Sequence, residues 1–110
     1  MKLPNSENAY IPLAKLKDYL LSENHAAGRS KAKFFRAFGF DETNIEVLEH
    51  GLIMIARNQE VNEVLSSVHG AKYIIDGTLS TPIGRIVNLK TVWIIDKGQD
   101  HPRFVTAIPN

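Results

Sequence analysis

The spacing of apolar residues changes near Gly70, and this change limits the fold more than any other feature of the sequence. Before Gly70, apolar residues recur every three or four positions, which is the spacing of a helix with one buried face. After it, β-branched and aromatic residues alternate with polar ones, as in a half-buried strand. Helices followed by strands with short turns predict an α+β fold, in which N-terminal helices pack on a C-terminal three- or four-stranded antiparallel sheet.

The first two predicted helices are short. One covers residues 13–21 and follows Pro12, because the missing N–H of proline costs nothing at the start of a helix. The other covers residues 31–38, with Ser30 as the predicted N-cap and Gly39 as the residue that ends it. Both patterns are amphipathic, so each helix is expected to bury one face against the rest of the domain.

A third helix is predicted over residues 44–58. It opens with Thr43-Asn44-Ile45-Glu46, which has the spacing of a capping box. Residues 61–68 are predicted to continue this helix after a break or to form a separate helical turn, and Gly70 to end the helical part. Strands are then predicted over 72–80, 85–96 and 103–108. The expected core residues are Phe34, Phe38, Leu48, Leu52, Ile75, Leu89 and Ile95.

The composition favours one cytoplasmic domain. The 110 residues fit a single domain spanning 1–110. The chain has no cysteine, which excludes disulfides, thiolate metal sites and a cysteine nucleophile. No apolar run approaches the roughly 18–20 residues of a membrane span, and the start of the chain lacks the apolar segment of a signal peptide. We therefore expect the chain as written to act in the cytoplasm.

Charge is distributed unevenly although the net charge is only +1. Residues 1–38 carry seven lysines and arginines against three acidic residues, whereas residues 41–63 carry six acidic residues against Arg57 alone. A basic segment beside an acidic one polarises the surface. Such a surface can steer a polyanion or dock a charged partner.

The stretch 29–36 is the most basic part of the chain. At about 100° per residue, Arg29, Lys33 and Arg36 share one helical face. One interpretation is a phosphate-binding surface for nucleic acid, and the other is the solvated outer face of an amphipathic helix. Spacing alone leaves both open.

Four further residues are candidates for a site, each with a simpler structural interpretation. His25 has the side chain best suited to proton transfer near neutral pH, but a single loop histidine is also an ordinary surface residue. Trp93 is either a core residue or the wall of a cleft for a base, with the Thr91 hydroxyl beside it. Arg103 has the bidentate geometry that suits a phosphate. No His, Asp or Glu pair has metal-site spacing, so we expect no metal or other cofactor.

Three segments together resemble a family of small uncharacterised bacterial domains. They are His-Ala-Ala-Gly-Arg-Ser-Lys-Ala-Lys-Phe-Phe from His25, Thr-Val-Trp-Ile-Ile from Thr91, and Asp-His-Pro-Arg from Asp100, and they follow an opening Lys-Leu-Pro-Asn from Lys2. The family pattern is roughly H-P-x-G-x-x-K-A-x-x-F, then [ST]-x-W-[IV]-[IV], then P-R, and Ala26 departs from it where proline is common. Such domains occur beside small partner genes and at the ends of polymorphic toxins. The pattern is also distantly similar to colicin D and to the barnase/EndoU/RelE-like ribonuclease toxins.

The resemblance implies a toxin that cleaves RNA without metal, with tRNA as a candidate substrate, and that is paired with a small antitoxin or immunity protein. It makes His25 the general acid or base, with the phosphate held by Lys31 and Lys33. Thr91, Trp93 and Arg103 would complete the cleft, and Arg29 and Arg36 would add binding charge. The alternative is a non-catalytic protein-interaction or nucleic-acid-binding module. Convergence of these side chains in one concave site would favour catalysis, and scatter over several faces would favour binding.

Overall fold

The helices of the chain precede all of its strands, as the change in spacing predicted. A computed structural model describes residues 1–24, 26 and 29–110. The α+β fold is confirmed, with three helical segments packed on a four-stranded antiparallel sheet. In chain order the elements are a 3-10 turn (Ser6–Asn8), α1 (Leu13–Lys15) with a π-helical turn (Leu16–Leu20), α2 (Arg29–Ala37), α3 (Ile45–Asn58), β1 (Glu63–Ser67), β2 (Gly70–Ser80), β3 (Ile86–Asp96) and β4 (Arg103–Pro109).

The sheet is a meander with the strand order β1-β2-β3-β4. β2 and β3 pair along their whole length, from Gly70 opposite Asp96 to Ser80 opposite Ile86. The helix or helical turn predicted over residues 61–68 is wrong, because this segment contains β1 and pairs antiparallel with β2. All five residues of β1 are exposed, so they carry no buried stripe that would favour a helix. Gly70 begins β2 and does not end a helix.

Two predicted helix caps are also wrong. α2 begins at Arg29, so Ser30 lies inside the helix and is not its N-cap. The capping box before α3 does not form, because Thr43 donates both its backbone N–H and its hydroxyl to the carboxylate of Asp41. Asn44 instead donates from Nδ2 to the Gly39 carbonyl over 2.8 Å and accepts from the Asp41 N–H over 2.9 Å. These loop contacts replace the predicted cap.

The core lies between the helices and the sheet. The predicted core residues Leu48, Leu52, Ile75 and Leu89 are fully buried, which confirms them. The other three predicted core residues are only half-buried: Phe34, Phe38 and Ile95. In α2 it is Phe35 that is completely buried, and its ring meets that of Phe34 edge-on at 5.2 Å. Ile95 lies opposite Ala71 near one end of the β2–β3 ladder.

A β-bulge in β4 decides which side chains reach which face of the sheet. Val92 pairs with Thr106 but Trp93 pairs with Phe104, so Val105 has no partner across the ladder. The extra residue shifts the two-residue alternation by one. As a result Arg103, which pairs with Ile94, lies on the same face as Thr106.

The π-helical turn after α1 has a similar effect on the helical side. The N–H of Leu21 donates to the carbonyl of Leu16 over 3.1 Å, five residues back. The wider turn lets Leu16, Leu20 and Leu21 all reach the core. It leaves Tyr19 half-buried at the margin of the core, packed against it.

Candidate functional site

A cleft of about 370 Å³ lies between the first helical segment and the start of β4. The segment around Tyr10 is held beside the start of β4. The N–H of Tyr10 donates to the Pro102 carbonyl and the N–H of Phe104 donates to the Tyr10 carbonyl, each over 3.0 Å. The walls of the cleft combine apolar surface with both signs of charge. The lining residues are Pro12, Ala14, Lys15, Asp18, Tyr19 and Arg103.

Tyr19 lies at the centre of the contacts around this cleft. Its hydroxyl is 3.0 Å from the Oγ1 of Thr106, which joins the π-helical turn to β4. The Nζ of Lys15 is 4.6 Å from the centroid of its ring, and the Nζ of Lys31 is 5.4 Å from the same centroid. Two ammonium groups from different helices therefore meet at one phenol, within cation–π range.

The surroundings of Tyr19 change its acidity. Burial alone acts to raise the pKa of the phenol, because it disfavours the phenolate. The hydrogen bond with Thr106, the hydrogen bond and charge of Lys31, and the charge of Lys15 all favour the phenolate. Together they outweigh burial, so the pKa of Tyr19 lies below its ordinary value. A phenol in this environment donates a proton more readily than one in water.

The two lysines predicted to bind phosphate lie on different sides of α2. Lys31 is half-buried and points to Tyr19. Lys33 follows two residues later, about 200° around the helix, and is exposed. Arg29 is also exposed. The structure thus brings Lys31 to Tyr19, beside the cleft, and leaves Lys33 and Arg29 on the outer side of α2.

Arg103 lines the cleft as the sequence suggested, and it has a partner. Its Nη2 lies 3.2 Å from Oδ2 of Asp96, and its Nε lies 3.4 Å from the same oxygen. This contact fixes the guanidinium at the edge of the cleft. A guanidinium also carries N–H donors on Nη1, so a fixed arginine of this kind can still bind an anionic oxygen.

Arg36 is held by contacts outside the cleft. Its Nε and Nη2 donate to the carbonyl of Leu21 over 3.0 and 2.7 Å. These bonds satisfy a carbonyl at the end of the π-helical turn. The same guanidinium contacts the carboxylate of Glu42 and lies 3.6 Å from that of Glu23. Because these contacts occupy Arg36 in holding α2 against the preceding turn, we do not include it in the site.

The Arg36–Glu42 pair predicts a pH-dependent contribution to stability. The hydrogen bond from Arg36 is the main cause that holds the pKa of Glu42 below its ordinary value. The stabilisation is therefore present above the ordinary glutamate pKa and is lost as the pH falls through the lowered value. We expect Glu42→Gln to be less stable than the wild type near pH 7, and the difference to narrow as the pH falls below the ordinary glutamate pKa, as measured by urea unfolding over this range. The control is Glu46→Gln, at an exposed position in α3. The same pH-dependent difference in that variant would rule out the arginine pair as its source.

Thr91 and Trp93 lie in the core and not in the cleft. Both are 0% exposed. The indole Nε1 donates to the Thr91 Oγ1 over 2.9 Å, and that hydroxyl donates to the Ile75 carbonyl over 2.7 Å. Every polar atom of the two side chains is thereby satisfied within the core, which supports the structural interpretation of Trp93 and gives neither side chain a surface for substrate.

The predicted acid or base, His25, lies outside the described residues. Of the other predicted side chains, Arg103 lines the cleft and Lys31 lies beside it at Tyr19. The remaining ones lie in the core (Thr91 and Trp93), on the outer side of α2 (Arg29 and Lys33) or in ion pairs away from the cleft (Arg36). Sequence reasoning missed Tyr19. The available signal was the four-residue spacing between Lys15 and Tyr19, which places them on one side of a helix.

A family model covers almost the whole chain. The model, described as a domain of unknown function (DUF6883), matches residues 2–110. The chain belongs to the DUF6883 family. The prediction that the chain belongs to a family of uncharacterised domains is confirmed at this level. The neighbouring partner genes and the ribonuclease activity stay predictions.

The fold of this DUF6883 domain is shared with a toxin–immunity system. One chain in the structure of a contact-dependent growth inhibition toxin–immunity protein complex from Klebsiella pneumoniae 342 matches with a TM-score of 0.74. Sequence identity is 20%, and the match covers 96% of each chain. At this identity the likeness establishes a common fold. No curated protein sequence matches the chain significantly.

The described part of this DUF6883 chain contains neither a helix that could span a membrane nor a group of possible metal ligands. Within residues 1–24, 26 and 29–110, no helix is both long and apolar enough to cross a membrane. Over the same residues, no three histidine, aspartate or glutamate side chains are grouped so that they could hold a metal ion.

Proposed function

We propose that the domain is a toxin-like endoribonuclease that cleaves RNA in the cytoplasm without a metal ion, with tRNA as a candidate substrate. The observation that carries the proposal is the meeting of Lys15, Lys31 and Arg103 around one cleft beside Tyr19. Two cationic groups that line a concave site, with a third beside it, suit a phosphodiester. The fold shared with a chain of a toxin–immunity complex supports the toxin-like part of the proposal.

The proposed reaction uses the 2′-hydroxyl of RNA as its nucleophile. The 2′-oxygen loses its proton and attacks the adjacent phosphorus, the bond from phosphorus to the 5′-oxygen breaks, and a 2′,3′-cyclic phosphate and a 5′-hydroxyl result. Negative charge grows on the phosphoryl oxygens as the 2′-oxygen attacks. Lys31 and Arg103 would stabilise that charge, and His25 would take the proton from the 2′-hydroxyl. This reaction requires no cofactor.

The proposal predicts strong effects of two substitutions on RNA cleavage. His25→Ala should lower the rate by about 10²–10⁴-fold, the usual contribution of a general acid or base. Lys31→Ala should lower it by about 10²–10³-fold, because a charge that stabilises the transition state is lost. The measurement is cleavage of a labelled tRNA pool by each purified variant, with and without EDTA, together with thermal melting. EDTA should leave wild-type activity unchanged.

Lys17→Ala is the matched control for the loss of one positive charge. Lys17 is exposed, lies in the same π-helical turn as Tyr19 and is not among the residues that line the cleft. We expect it to keep nearly full activity. Full activity of the His25 variant would contradict the mechanism, and unfolding of that variant would make His25 structural. Wild-type protein that binds RNA in a salt-dependent way but never cleaves it would support the non-catalytic binding module instead.

We also propose that the domain has a small cognate partner protein that acts as an antitoxin or immunity protein. The structural neighbour was solved as a toxin–immunity protein complex, which supports this expectation. The test is expression of the domain in bacteria with and without the product of the adjacent gene. Growth arrest that the adjacent product relieves would support the partner, and arrest that it leaves unchanged would contradict it.

A further inference from the structure

We propose that Tyr19 is the general acid of the cleavage reaction, which donates its phenolic proton to the 5′-oxygen as that oxygen leaves phosphorus. This inference rests on the proposed ribonuclease function. It assigns the second proton-transfer group, which the sequence did not reveal. Three observations carry it: the position of Tyr19 in the cleft, the cations around it, and the chemistry of the leaving group.

The position of Tyr19 gives its hydroxyl both support and access. The π-helical turn places the ring against the core, and Thr106 on β4 holds the hydroxyl at 3.0 Å. The residue nevertheless lines the same open cleft as Arg103. The β-bulge at Val105 places Thr106 and Arg103 on one face of the sheet, so the group that orients the phenol and the proposed phosphate ligand lie on the same side.

The charges that face Tyr19 favour the loss of its proton. Lys15 and Lys31 lie over the ring at 4.6 and 5.4 Å, and Arg103 lines the cleft from β4. Asp18 is the acidic residue in the lining, and it adjoins Tyr19 in the chain. The two lysines help to lower the pKa of Tyr19. They would also stabilise the phenolate that remains once the proton has passed to the leaving oxygen.

The protons balance without any further reactant. The 2′-hydroxyl gives its proton to His25, the new bond from the 2′-oxygen to phosphorus forms, and the bond from phosphorus to the 5′-oxygen breaks with its electron pair on oxygen. Tyr19 gives its proton to that oxygen. The protonated His25 and the Tyr19 phenolate then return to their starting states by exchange with water. A phenol suits this step because it carries its proton at neutral pH.

The first test is the variant Tyr19→Phe. Phenylalanine keeps the ring, its packing and its attraction for the Lys15 ammonium, so the melting temperature should change by only a few degrees. Without the phenolic proton, kcat for RNA cleavage should fall by about 10²–10³-fold, while KM should change less than about threefold. Cleavage by this variant within about threefold of wild type would overturn the assignment and leave the ribonuclease proposal intact.

The second test changes the leaving group. When sulfur replaces the bridging 5′-oxygen of the RNA, the leaving group departs as a thiolate, which needs no proton from the enzyme. Tyr19→Phe should cleave this RNA at nearly the wild-type rate although it fails on ordinary RNA. A Lys31→Ala control should be defective on both substrates, because the phosphoryl charge still needs stabilisation.

The outcomes separate the two proposals. Equal defects of Tyr19→Phe on both substrates would show that the phenol only supports the cleft, which overturns its role as the acid. Wild-type protein that cleaves neither substrate would overturn the ribonuclease function and the role of Tyr19 with it. Selective rescue by the sulfur leaving group supports both.

Discussion

Trp93→Ala is expected to lower the free energy of unfolding by about 3–5 kcal/mol, the usual cost of truncating a large aromatic residue in a core. The indole is completely buried and meets the ring of Phe104 edge-on at 5.3 Å. Its Nε1 is also the donor to the Thr91 hydroxyl. The substitution therefore leaves a cavity and removes one hydrogen bond from the centre of β3. Urea unfolding followed by far-ultraviolet circular dichroism measures the loss.

Thr91→Val separates the hydrogen bond from the packing. Valine keeps nearly the same shape but leaves the indole N–H without its acceptor and the Ile75 carbonyl without the threonine hydroxyl. We expect a loss of about 1–3 kcal/mol, the cost of buried groups left unsatisfied. The core interpretation of Trp93 would be contradicted by an alanine variant that loses less than about 1 kcal/mol but no longer cleaves RNA. That result would indicate that the indole takes part in RNA cleavage.

Gly70→Ala is the second substitution for which we expect a large effect. Gly70 begins β2 with φ of +136°, a region that residues with a side chain rarely adopt. A Cβ built there would lie 2.3 Å from the carbonyl oxygen of Ile95 and 2.9 Å from the Cα of Asp96. Backbone strain costs roughly 1–3 kcal/mol, and overpacking costs a similar amount. We therefore expect a loss of about 2–5 kcal/mol on the same urea scale.

Gly84→Ala is the matched control. Gly84 also has a positive φ, of +80°, but a Cβ there would meet no atom within 4 Å. This variant has the strain of the left-handed conformation without the steric overlap, so it should lose about 1–2 kcal/mol. Equal losses in the two variants would mean that the contact with the β3 backbone has no effect of its own.

Sequence reasoning predicted the fold well where burial repeats along the chain. The faces of α3, β2 and β3 follow from residues such as Leu48, Leu52 and Leu89, whose spacing reports one buried side. It failed at β1, because an exposed edge strand has no buried side to report. Backbone pairing with β2 forms that strand, and such pairing leaves little trace in composition. The failed cap at Thr43 has a different cause, since the Thr43 hydroxyl donates to the carboxylate of Asp41 instead of capping the helix.

The candidate site was predictable only in part. Lys31 and Arg103 were singled out: Arg103 lines the cleft, and the ammonium of Lys31 lies over the ring of Tyr19. Tyr19 was not, because its place depends on a π-helical turn and a β-bulge that no periodic pattern indicates. The role of Trp93 could not be decided from the sequence, because the alternation of a strand gives the face on which a residue lies but not what covers that face. Only the packed structure shows that the indole is completely buried and that Phe104 packs against it.

The bulge at Val105, more than the number of residues in β4, decides which side chains of the last strand reach the core. If Val105 took a regular partner across the ladder, strict alternation would turn over everything on the Arg103 side of it. Phe104 would then face outward, and the guanidinium of Arg103 would be directed at the hydrophobic layer. Removal of Val105 would instead join Phe104 directly to Thr106 and leave both on their present faces. The last strand can therefore accept a deletion at that position more easily than it can accept a straightened ladder.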